Sequence, residues 1–244
     1  MMTFNERNHM ELNNTVAFVT GANRGLGLAF ATALLQAGVK KVYAAARNPA
    51  QISLPGLHPV QLDITNHDEV LAAAKACGDV NLLINNAGIA QPSPFLASDS
   101  TAAIRAQFET NFFGMLAMSQ AFAPVLKANG GGALVNMLSV LSWINLAGIN
   151  GYSASKAAAW SLTNGLRNEL RAQGTLVVGV HAAFIDTDMT QHVAMPKSTP
   201  QQVASQVLEA IVQGREEVFA DEITRQVKQA LSLENAPYLR EGGQ

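Results

Sequence analysis

Cysteine is nearly absent from this sequence, and so is any strong bias of charge. Cys77 is the only cysteine in 244 residues, which excludes an intrachain disulfide and suits a reducing compartment. The formal net charge of -2 offers no electrostatic attraction to nucleic acid or to an anionic membrane surface. We therefore expect neither a disulfide-rich secreted domain nor a nucleic-acid partner.

Long hydrophobic runs are missing as well. The most apolar stretch, residues 132–149, is interrupted by two asparagines and two serines and is too polar to span a bilayer. Residues 1–13 are polar and lack the apolar centre of a signal peptide, so they are predicted to form a flexible N-terminal tail. These features predict a cytoplasmic protein without a membrane partner.

Apolar residues are nonetheless plentiful, since 48% of the chain is hydrophobic and 14% is charged, which suffices for one large core. Short apolar runs alternate with segments of helical periodicity, a pattern typical of a parallel sheet covered on both faces. We predict one α/β domain over residues 14–244, with a Rossmann-type doubly wound, mostly parallel sheet of about seven strands and helices on both faces. Predicted strands lie near 15–20, 41–46, 58–64, 81–88, 132–138, 175–184 and 217–221, and predicted helices near 26–38, 65–78, 100–127, 152–171, 200–214 and 223–231.

A glycine-rich loop, "TGANRGLG" at residues 20–27, joins the first predicted strand to the first predicted helix. Its spacing is G-x-x-x-G-x-G. Glycine there allows a tight turn, close approach of the backbone to a pyrophosphate and close packing of helix on strand, while the helix N-terminus faces the anion. A plain strand-to-helix turn is the alternative, but the position of the loop favours a dinucleotide site.

Two arginines bear on the choice of cofactor. The second predicted strand ends in "YAAARN", with Ala46 where an NAD site usually carries an acid and with Arg47 beside it. Arg24 lies within the glycine loop. Two guanidinium groups near a 2′-phosphate would make bidentate, charge-assisted contacts, so NADP(H) is the expected cofactor. The alternative is a pair of exposed arginines that bind no ligand.

Three motifs together carry a resemblance to a known family. With "TGANRGLG" at 20–27, "NNAG" at 85–88 and "YSASK" at 152–156, the chain resembles a classical short-chain dehydrogenase/reductase of the NADP-preferring carbonyl reductase type, over residues 14–190. The resemblance implies that Asp63 meets the adenine and that "NNAG" supports the nucleotide. The expected cofactor-binding residues are Gly21, Asn23, Arg24, Gly25, Leu26, Gly27, Arg47, Asp63, Ile64, Asn86, Ala87, Gly88, Tyr152, Lys156, Ile185 and Thr187.

The same resemblance implies four catalytic residues. Ser139 lies thirteen residues before Tyr152, and Asn111 lies in the preceding long helix, at the positions where the family has its catalytic serine and asparagine. Lys156 is implied to hold the nicotinamide ribose, and Asn111 to fix a water beside it. Taken singly, Ser139 has an alternative as a strand-end cap, and Asn111 as a residue that kinks a helix.

The spacing of Tyr152 and Lys156 has a chemical reason of its own. Residues four apart share one helical face. A free tyrosine has a pKa of about 10, and a neighbouring ammonium is expected to lower it by about 1 to 3 units, toward the range useful for general acid–base catalysis. Tyr152 would then donate a proton to a carbonyl oxygen that Ser139 also hydrogen-bonds, while hydride reaches the carbonyl carbon. The alternative is an ordinary surface pair.

The segment after the sixth predicted strand departs from the family. The family's Pro-Gly is replaced by Ala182 and Ala183, and alanine is expected to resist backbone conformations that glycine allows. Residues of about 187–200 are expected to form a lid over the substrate. The predicted pocket residues are Leu141, Trp143, Ala183, Phe184 and Met189, and their largely apolar character favours a hydrophobic ketone or aldehyde.

These observations predict an NADPH-dependent carbonyl reductase that acts in reverse as an alcohol dehydrogenase, with no metal. Two alternatives remain open: a non-catalytic NADP(H)-binding regulatory protein, and a lyase or dehalogenase on the same scaffold. The helices near 100–127 and 152–171 resemble those that pair across a two-fold axis in the family, so a homodimer or homotetramer is expected.

Overall fold

A single sheet of seven strands forms the centre of the computed structural model, which describes residues 10–239. The strands are β1 (Val16–Thr20), β2 (Lys41–Ala46), β3 (Leu57–Gln61), β4 (Leu82–Asn85), β5 (Ala133–Met137), β6 (Leu176–His181) and β7 (Glu217–Phe219). They lie in the order β3-β2-β1-β4-β5-β6-β7, and every neighbouring pair is parallel.

Helices cover both faces of this sheet, which confirms the predicted fold class. Helices α1 and α6 pack on one face, and α2, α4 and α5 on the other. The helices are α1 (Gly25–Gln36), α2 (His67–Ala76), α3 (Ser100–Phe108), α4 (Met115–Ala128), α5 (Asn150–Leu170), α6 (Pro200–Val212) and α7 (Glu222–Ala230), with a π-helical segment, Glu109–Gly114, between α3 and α4.

The sequence pattern of each strand follows from its place in the sheet. Every residue of β1, β4 and β5 is buried because helices cover both sides, and these strands are accordingly almost continuous apolar runs. Strand β3 is an edge strand with exposed residues, and it tolerates Pro59, which lacks the N–H that a central strand needs. At the start of α2, the Asn66 side chain accepts hydrogen bonds from the N–H groups of Asp68 and Glu69 and so acts as the N-cap.

The predicted N-terminal tail, residues 1–13, lies only partly within the residues that the structure describes. Residues 1–9 lie outside the described part, but Leu12–Asn14 form a 3-10 turn. Met10 and Leu12 pack against the core beneath α1 and α6. Residues 10–13 of the predicted tail therefore include two apolar side chains that contact the core. Within residues 10–239, no helix is both long enough and apolar enough to cross a bilayer.

The strand order places a crevice at one end of the sheet. The chain runs from β1 outward to β3 and then returns to start β4 on the other side of β1. In open parallel sheets, ligands bind beyond the carboxyl ends of the strands at such a reversal. The glycine loop follows β1, and "NNAG" ends β4, so the two motifs face each other across this crevice.

Candidate active site

A cleft of about 890 Å³ opens at the carboxyl ends of the strands. Its walls come from the glycine loop, the ends of β2 and β4, the segment after β5, the start of α5 and the loop after β6. Every residue predicted to bind the cofactor lines this cleft, as do Ser139, Ala183 and Met189. The structure thus brings together residues that lie far apart in the sequence.

The glycine loop is shaped for close approach of a ligand and of its own backbone. Gly21 and Gly25 have positive φ angles of 66° and 53°, a region that favours glycine. A Cβ on Gly27 would lie 2.0 Å from the carbonyl oxygen of Gly21, so no larger residue fits there. Helix α1 begins without a side-chain cap, which leaves the N–H groups of its first turn for an anion. These features fit the pyrophosphate of a dinucleotide.

The ends of β1 and β4 are tied together beneath the loop. The Asn86 amide Nδ2 donates to the carbonyl oxygen of Thr20 at 2.9 Å, and the Asn86 backbone N–H donates to the Thr20 hydroxyl at 2.9 Å. Because both residues lie at strand ends, these bonds fix the width of the crevice at the point of strand-order reversal.

The two arginines occupy different environments at the outer part of the cleft. Arg47 follows β2 and lines the cleft. Arg24 instead pairs with Asp188, with Nη1 and Oδ2 2.5 Å apart. The Asp63 carboxylate accepts from the backbone N–H of Thr65 at 2.9 Å and from its hydroxyl at 2.7 Å. Sequence reasoning missed Asp188, because nothing in its local sequence indicates a partner in the glycine loop.

Ser139, Tyr152 and Lys156 meet at the inner end of the cleft. Ser139 comes just after β5, and Tyr152 lies in the first turn of α5 with Lys156 one turn later. Lys156 is only 4% exposed, and its ammonium donates to the carbonyl oxygen of Met137 at 2.7 Å. The ammonium nitrogen lies 5.7 Å from the centre of the Tyr152 ring, so the two side chains are close neighbours.

The pKa of Tyr152 is shifted in the direction opposite to the sequence-based expectation. Burial raises the pKa of the phenol to about 12, and a hydrogen bond with Ser139 only partly opposes this shift. Burial also lowers the pKa of Lys156 to about 8. The expected lowering by the ammonium is not found because loss of hydration dominates and Lys156 donates to Met137. The Tyr152 side chain remains partly exposed to the cleft, where water moderates the shift.

Asn111 lies in the π-helical segment and supports the site from behind. It is buried and does not line the cleft. Its Nδ2 donates to the Ser155 hydroxyl at 3.0 Å and to the carbonyl oxygen of Ile89 at 2.9 Å, and its Oδ1 accepts from the Ile89 N–H at 2.9 Å. A Cβ on Gly88 would lie 3.2 Å from this Oδ1 and 3.8 Å from the Lys156 ammonium. Asn111 therefore holds the segment after β4 close to Lys156.

Ser139 has both of the roles considered for it. Its Oγ accepts from the Leu141 N–H at 3.1 Å, and its own N–H donates to the Ser142 hydroxyl at 3.3 Å, so it caps the 3-10 turn Val140–Ser142. The cap leaves Ser139 at the cleft wall, beside Tyr152. The capping bonds thus hold the Ser139 hydroxyl where the carbonyl oxygen of a substrate could reach it.

The predicted substrate residues divide into two groups. Ala183 and Met189 line the cleft, whereas Leu141, Trp143 and Phe184 do not. Trp143 is 9% exposed and stacks on His181, with ring centres 4.0 Å apart. The 3-10 turn after Ser139 directs Trp143 away from the cleft, which its sequence position does not reveal.

Alanine at position 183 fits without strain. No residue other than glycine has a positive φ angle in residues 10–239, so the resistance expected of Ala183 does not arise. Its backbone N–H donates to the Asp221 carboxylate at 2.7 Å, and the same carboxylate caps α7 through the N–H of Thr224. The C-terminal helix thereby supports the cleft wall at Ala183. The residues that the structure describes contain no group of three or more His, Cys, Asp or Glu side chains that could hold a metal ion.

Known proteins resemble this chain along most of its length. Residues 15–197 match the model of the short chain dehydrogenase family. A short chain dehydrogenase from Burkholderia cenocepacia, solved in complex with NADP, is 41% identical and has a TM-score of 0.88, covering 92% of this chain and 95% of that one. D-erythrulose reductase from Gallus gallus is 36% identical and covers 71% of this chain and 72% of its own. Farnesol dehydrogenase from Aedes aegypti is 30% identical and covers 77% of this chain and 91% of its own.

The fold and the cleft define an oxidoreductase of the Rossmann class that uses a dinucleotide. Within that class, the chain belongs to the short-chain dehydrogenase family, on the match over residues 15–197. It is therefore an oxidoreductase that depends on a nicotinamide cofactor.

Proposed function

We propose that this protein reduces a ketone or an aldehyde to the alcohol with NADPH, and oxidises the alcohol in the reverse direction. The observation that carries the proposal is the convergence of Ser139, Tyr152 and Lys156 on one end of the cleft, with the Lys156 ammonium 5.7 Å from the centre of the Tyr152 ring. A proton donor next to a second hydrogen-bonding hydroxyl is the arrangement that carbonyl reduction needs.

Each of the three side chains has a distinct role in this proposal. When bound, the cofactor supplies the hydride that reduces the carbonyl carbon. Tyr152 donates a proton to the carbonyl oxygen, and Ser139 hydrogen-bonds the same oxygen as negative charge develops on it. Lys156 uses one N–H to reach the Met137 carbonyl and keeps its other N–H groups for the nicotinamide ribose.

The raised pKa of Tyr152 favours the reductive direction at neutral pH. With a pKa raised to about 12 by burial, the phenol is protonated and can act as an acid. Alcohol oxidation needs the phenolate and is therefore expected to require more alkaline conditions.

The preference for NADP(H) is supported by Arg47, by Arg24 and by Ala46, which stands where a carboxylate would repel a 2′-phosphate. The related dehydrogenase from Burkholderia cenocepacia was solved with NADP. Arg47 is proposed to make the main contact, because Arg24 is shared with Asp188. Replacement of Arg47 by alanine is thus expected to weaken NADPH binding more than replacement of Arg24.

The substrate is proposed to be a small hydrophobic carbonyl compound. Met189, Ala183 and Leu138 contribute apolar surface to the cleft. The two named relatives, a farnesol dehydrogenase and a D-erythrulose reductase, both interconvert an alcohol and a carbonyl by their names. Farnesol is apolar and D-erythrulose is polar, so the substrate panel includes both apolar and hydroxylated carbonyl compounds. The cytoplasmic location and the homodimer or homotetramer remain predictions.

The proposal is tested by the loss of NADPH absorbance when the purified protein is mixed with a panel of apolar and hydroxylated ketones and aldehydes. We expect turnover of at least one apolar carbonyl, faster with NADPH than with NADH, and no turnover by Tyr152→Phe. Tight NADPH binding without turnover of any carbonyl would reject the enzyme and support the alternative, a regulatory NADP(H)-binding protein. Size-exclusion chromatography with light scattering tests the predicted assembly.

A further inference from the structure

A histidine that the proposed reaction does not use lies directly behind the catalytic serine. His181 is the last residue of β6, and it is 0% exposed. Its Nδ1 lies 3.1 Å from the backbone carbonyl oxygen of Ser139. A carbonyl oxygen can only accept a hydrogen bond, so Nδ1 must carry the proton. The ring is therefore a neutral donor whose tautomer is set by Ser139.

Aromatic side chains pack around the His181 imidazole. The Trp143 ring stacks on His181 with centres 4.0 Å apart and planes 22° apart, and the Phe219 ring lies 6.0 Å away. Nε2 of His181 is buried and has no hydrogen-bond partner among the described residues. This nitrogen cannot serve as a base for solvent or substrate, which leaves the bond to Ser139 as the one polar role of the ring.

The surroundings also keep the imidazole uncharged. Burial is the main cause that lowers the pKa of His181 to about 3, and the positive charges of Lys228, Arg167 and Lys156 act in the same direction. The ammonium nitrogen of Lys228 lies over the Trp143 ring, 5.0 Å from its centre. The donor state of Nδ1 is thus constant over the pH range in which the enzyme would work.

Ser139 lies just beyond the last paired residue of β5, Met137. Backbone bonds flank it, from the Leu138 N–H to the Val180 carbonyl oxygen at 2.8 Å and from the Val140 N–H to the Ala182 carbonyl oxygen at 2.9 Å, and His181 adds a third contact between them. The Ser139 carbonyl oxygen accepts one bond from the Ser142 N–H at 3.0 Å, within its own turn, and the second from His181. The bond from His181 is the contact that ties the Ser139 carbonyl oxygen itself to β6, and the Ser139 and Tyr152 side chains line the same part of the cleft.

We propose that His181 is a positioning residue, which holds the Ser139 backbone so that the Ser139 hydroxyl reaches both the Tyr152 phenol and the substrate oxygen. The inference rests on the proposed function. It predicts that removal of the Nδ1–H donor slows the chemical step and leaves cofactor binding intact, because His181 does not line the cleft.

Two substitutions separate the hydrogen bond from the packing. His181→Leu removes the donor, and we expect kcat to fall by about 10- to 100-fold, as for a small misplacement of a catalytic group. His181→Asn keeps an N–H close to the position of Nδ1, and we expect it to restore kcat to within about 3-fold of wild type. Phe219→Leu loosens the packing around the ring without removing the donor, and it should behave like His181→Asn. NADPH affinity should be unchanged in all three variants.

A pH profile provides a readout that mere loss of stability would not change. The hydrogen bond with Ser139 lowers the pKa of the Tyr152 phenol, so displacement of Ser139 should move the alkaline rise of alcohol oxidation to higher pH. We expect this shift in His181→Leu and not in His181→Asn or Phe219→Leu. A wild-type kcat and pH profile in His181→Leu would overturn the inference, and so would equal losses in all three variants with an unshifted profile.

The nitrogen NMR signals of His181 in the wild-type protein give a test that does not depend on any variant being folded. The Nδ1–H tautomer is expected, and a proton on Nε2 would overturn the inference. If wild type turns over no carbonyl although this tautomer is present, the proposed function fails and the catalytic part of the inference fails with it. If wild type is active and His181→Leu is equally active, the inference alone fails.

Discussion

Arg24 of the glycine loop and Asp188 of the turn after β6 form an ion pair at the wall of the cofactor cleft, with Nη1 and Oδ2 2.5 Å apart. Their side chains are 69% and 67% exposed, so the pair contributes little to stability. Its importance is instead chemical, because a 2′-phosphate would compete with Asp188 for the same guanidinium group.

Asp188→Asn should therefore tighten the binding of NADPH. We expect the dissociation constant for NADPH to fall by about 3- to 10-fold at low salt, with less than about a 2-fold change for NADH, because a carboxylate next to a phosphate is repulsive. Titration of each cofactor by fluorescence measures both constants. Asp186→Asn is the matched control, since Asp186 is equally exposed but pairs with Lys197. An unchanged ratio of the NADPH and NADH constants in Asp188→Asn would contradict the prediction.

Tyr152→Phe should abolish turnover while leaving the cofactor in place. Loss of the proposed proton donor is expected to reduce kcat by at least about 100-fold, the lower range of what general acid catalysis contributes. The dissociation constant for NADPH should change little, because the ring itself remains. Steady-state kinetics and cofactor titration on the same preparation provide the measurement.

A matched control for this substitution is Tyr43→Phe. The Tyr43 hydroxyl bonds Asp79 and accepts from Lys41 on β2, and the residue does not line the cleft. Its loss should leave kcat near that of wild type. Retained activity in Tyr152→Phe, or an equal loss in Tyr43→Phe, would reject Tyr152 as the proton donor.

The parts of the site that the sequence predicted are those with local spacing. The glycine loop and the Tyr152–Lys156 pair are each contained in a few consecutive residues, where turn geometry and helical periodicity are sufficient. The pairing of Arg24 with Asp188 spans 164 positions in the chain, and only the order of the strands brings the two together. Trp143 was predicted to line the substrate pocket, but the short turn after Ser139 directs it away from the cleft. Residues that follow the end of a strand have no regular periodicity from which the direction of a side chain could be predicted.

The predicted pKa of Tyr152 had the wrong sign for a related reason. A charge four residues away is visible in the sequence, whereas loss of hydration depends on everything that packs around the phenol. The Met137 carbonyl that receives the Lys156 ammonium likewise belongs to a different strand. The closeness of Tyr152 and Lys156 could be predicted from the sequence. The balance between nearby charge and burial, which sets the pKa of Tyr152, could not.

Lys156 should limit reduction at alkaline pH. Burial lowers the pKa of its ammonium to about 8, so the positive charge is present below that pH and is lost as pH rises through it. Since Tyr152 stays protonated up to a pKa of about 12, the phenol imposes no earlier limit on reduction. We expect kcat/KM for carbonyl reduction to be constant below about pH 8 and to fall above it, and alcohol oxidation to have a more alkaline optimum.

Initial rates in both directions across neutral and alkaline pH measure this difference. In Lys156→Arg the guanidinium keeps its charge, so the fall near pH 8 should disappear even though the rate is lower. A common optimum for reduction and oxidation in wild type would contradict the assignment of opposite proton states to Tyr152.

His181 should make the stability of the fold depend on pH below neutrality. Its pKa falls from an ordinary value of 6.5 to about 3 on folding. Between these two values the unfolded chain binds a proton at this histidine and the folded chain does not, so stability decreases as pH falls through this window. In His181→Asn this contribution is absent while the carboxylates still titrate. The free energy of unfolding of wild type should therefore fall relative to that of His181→Asn by about 2 kcal/mol from pH 7 to pH 5, as measured by urea unfolding. A constant difference would mean that His181 keeps its ordinary pKa in the folded protein, which its burial and the nearby charge of Lys228 oppose.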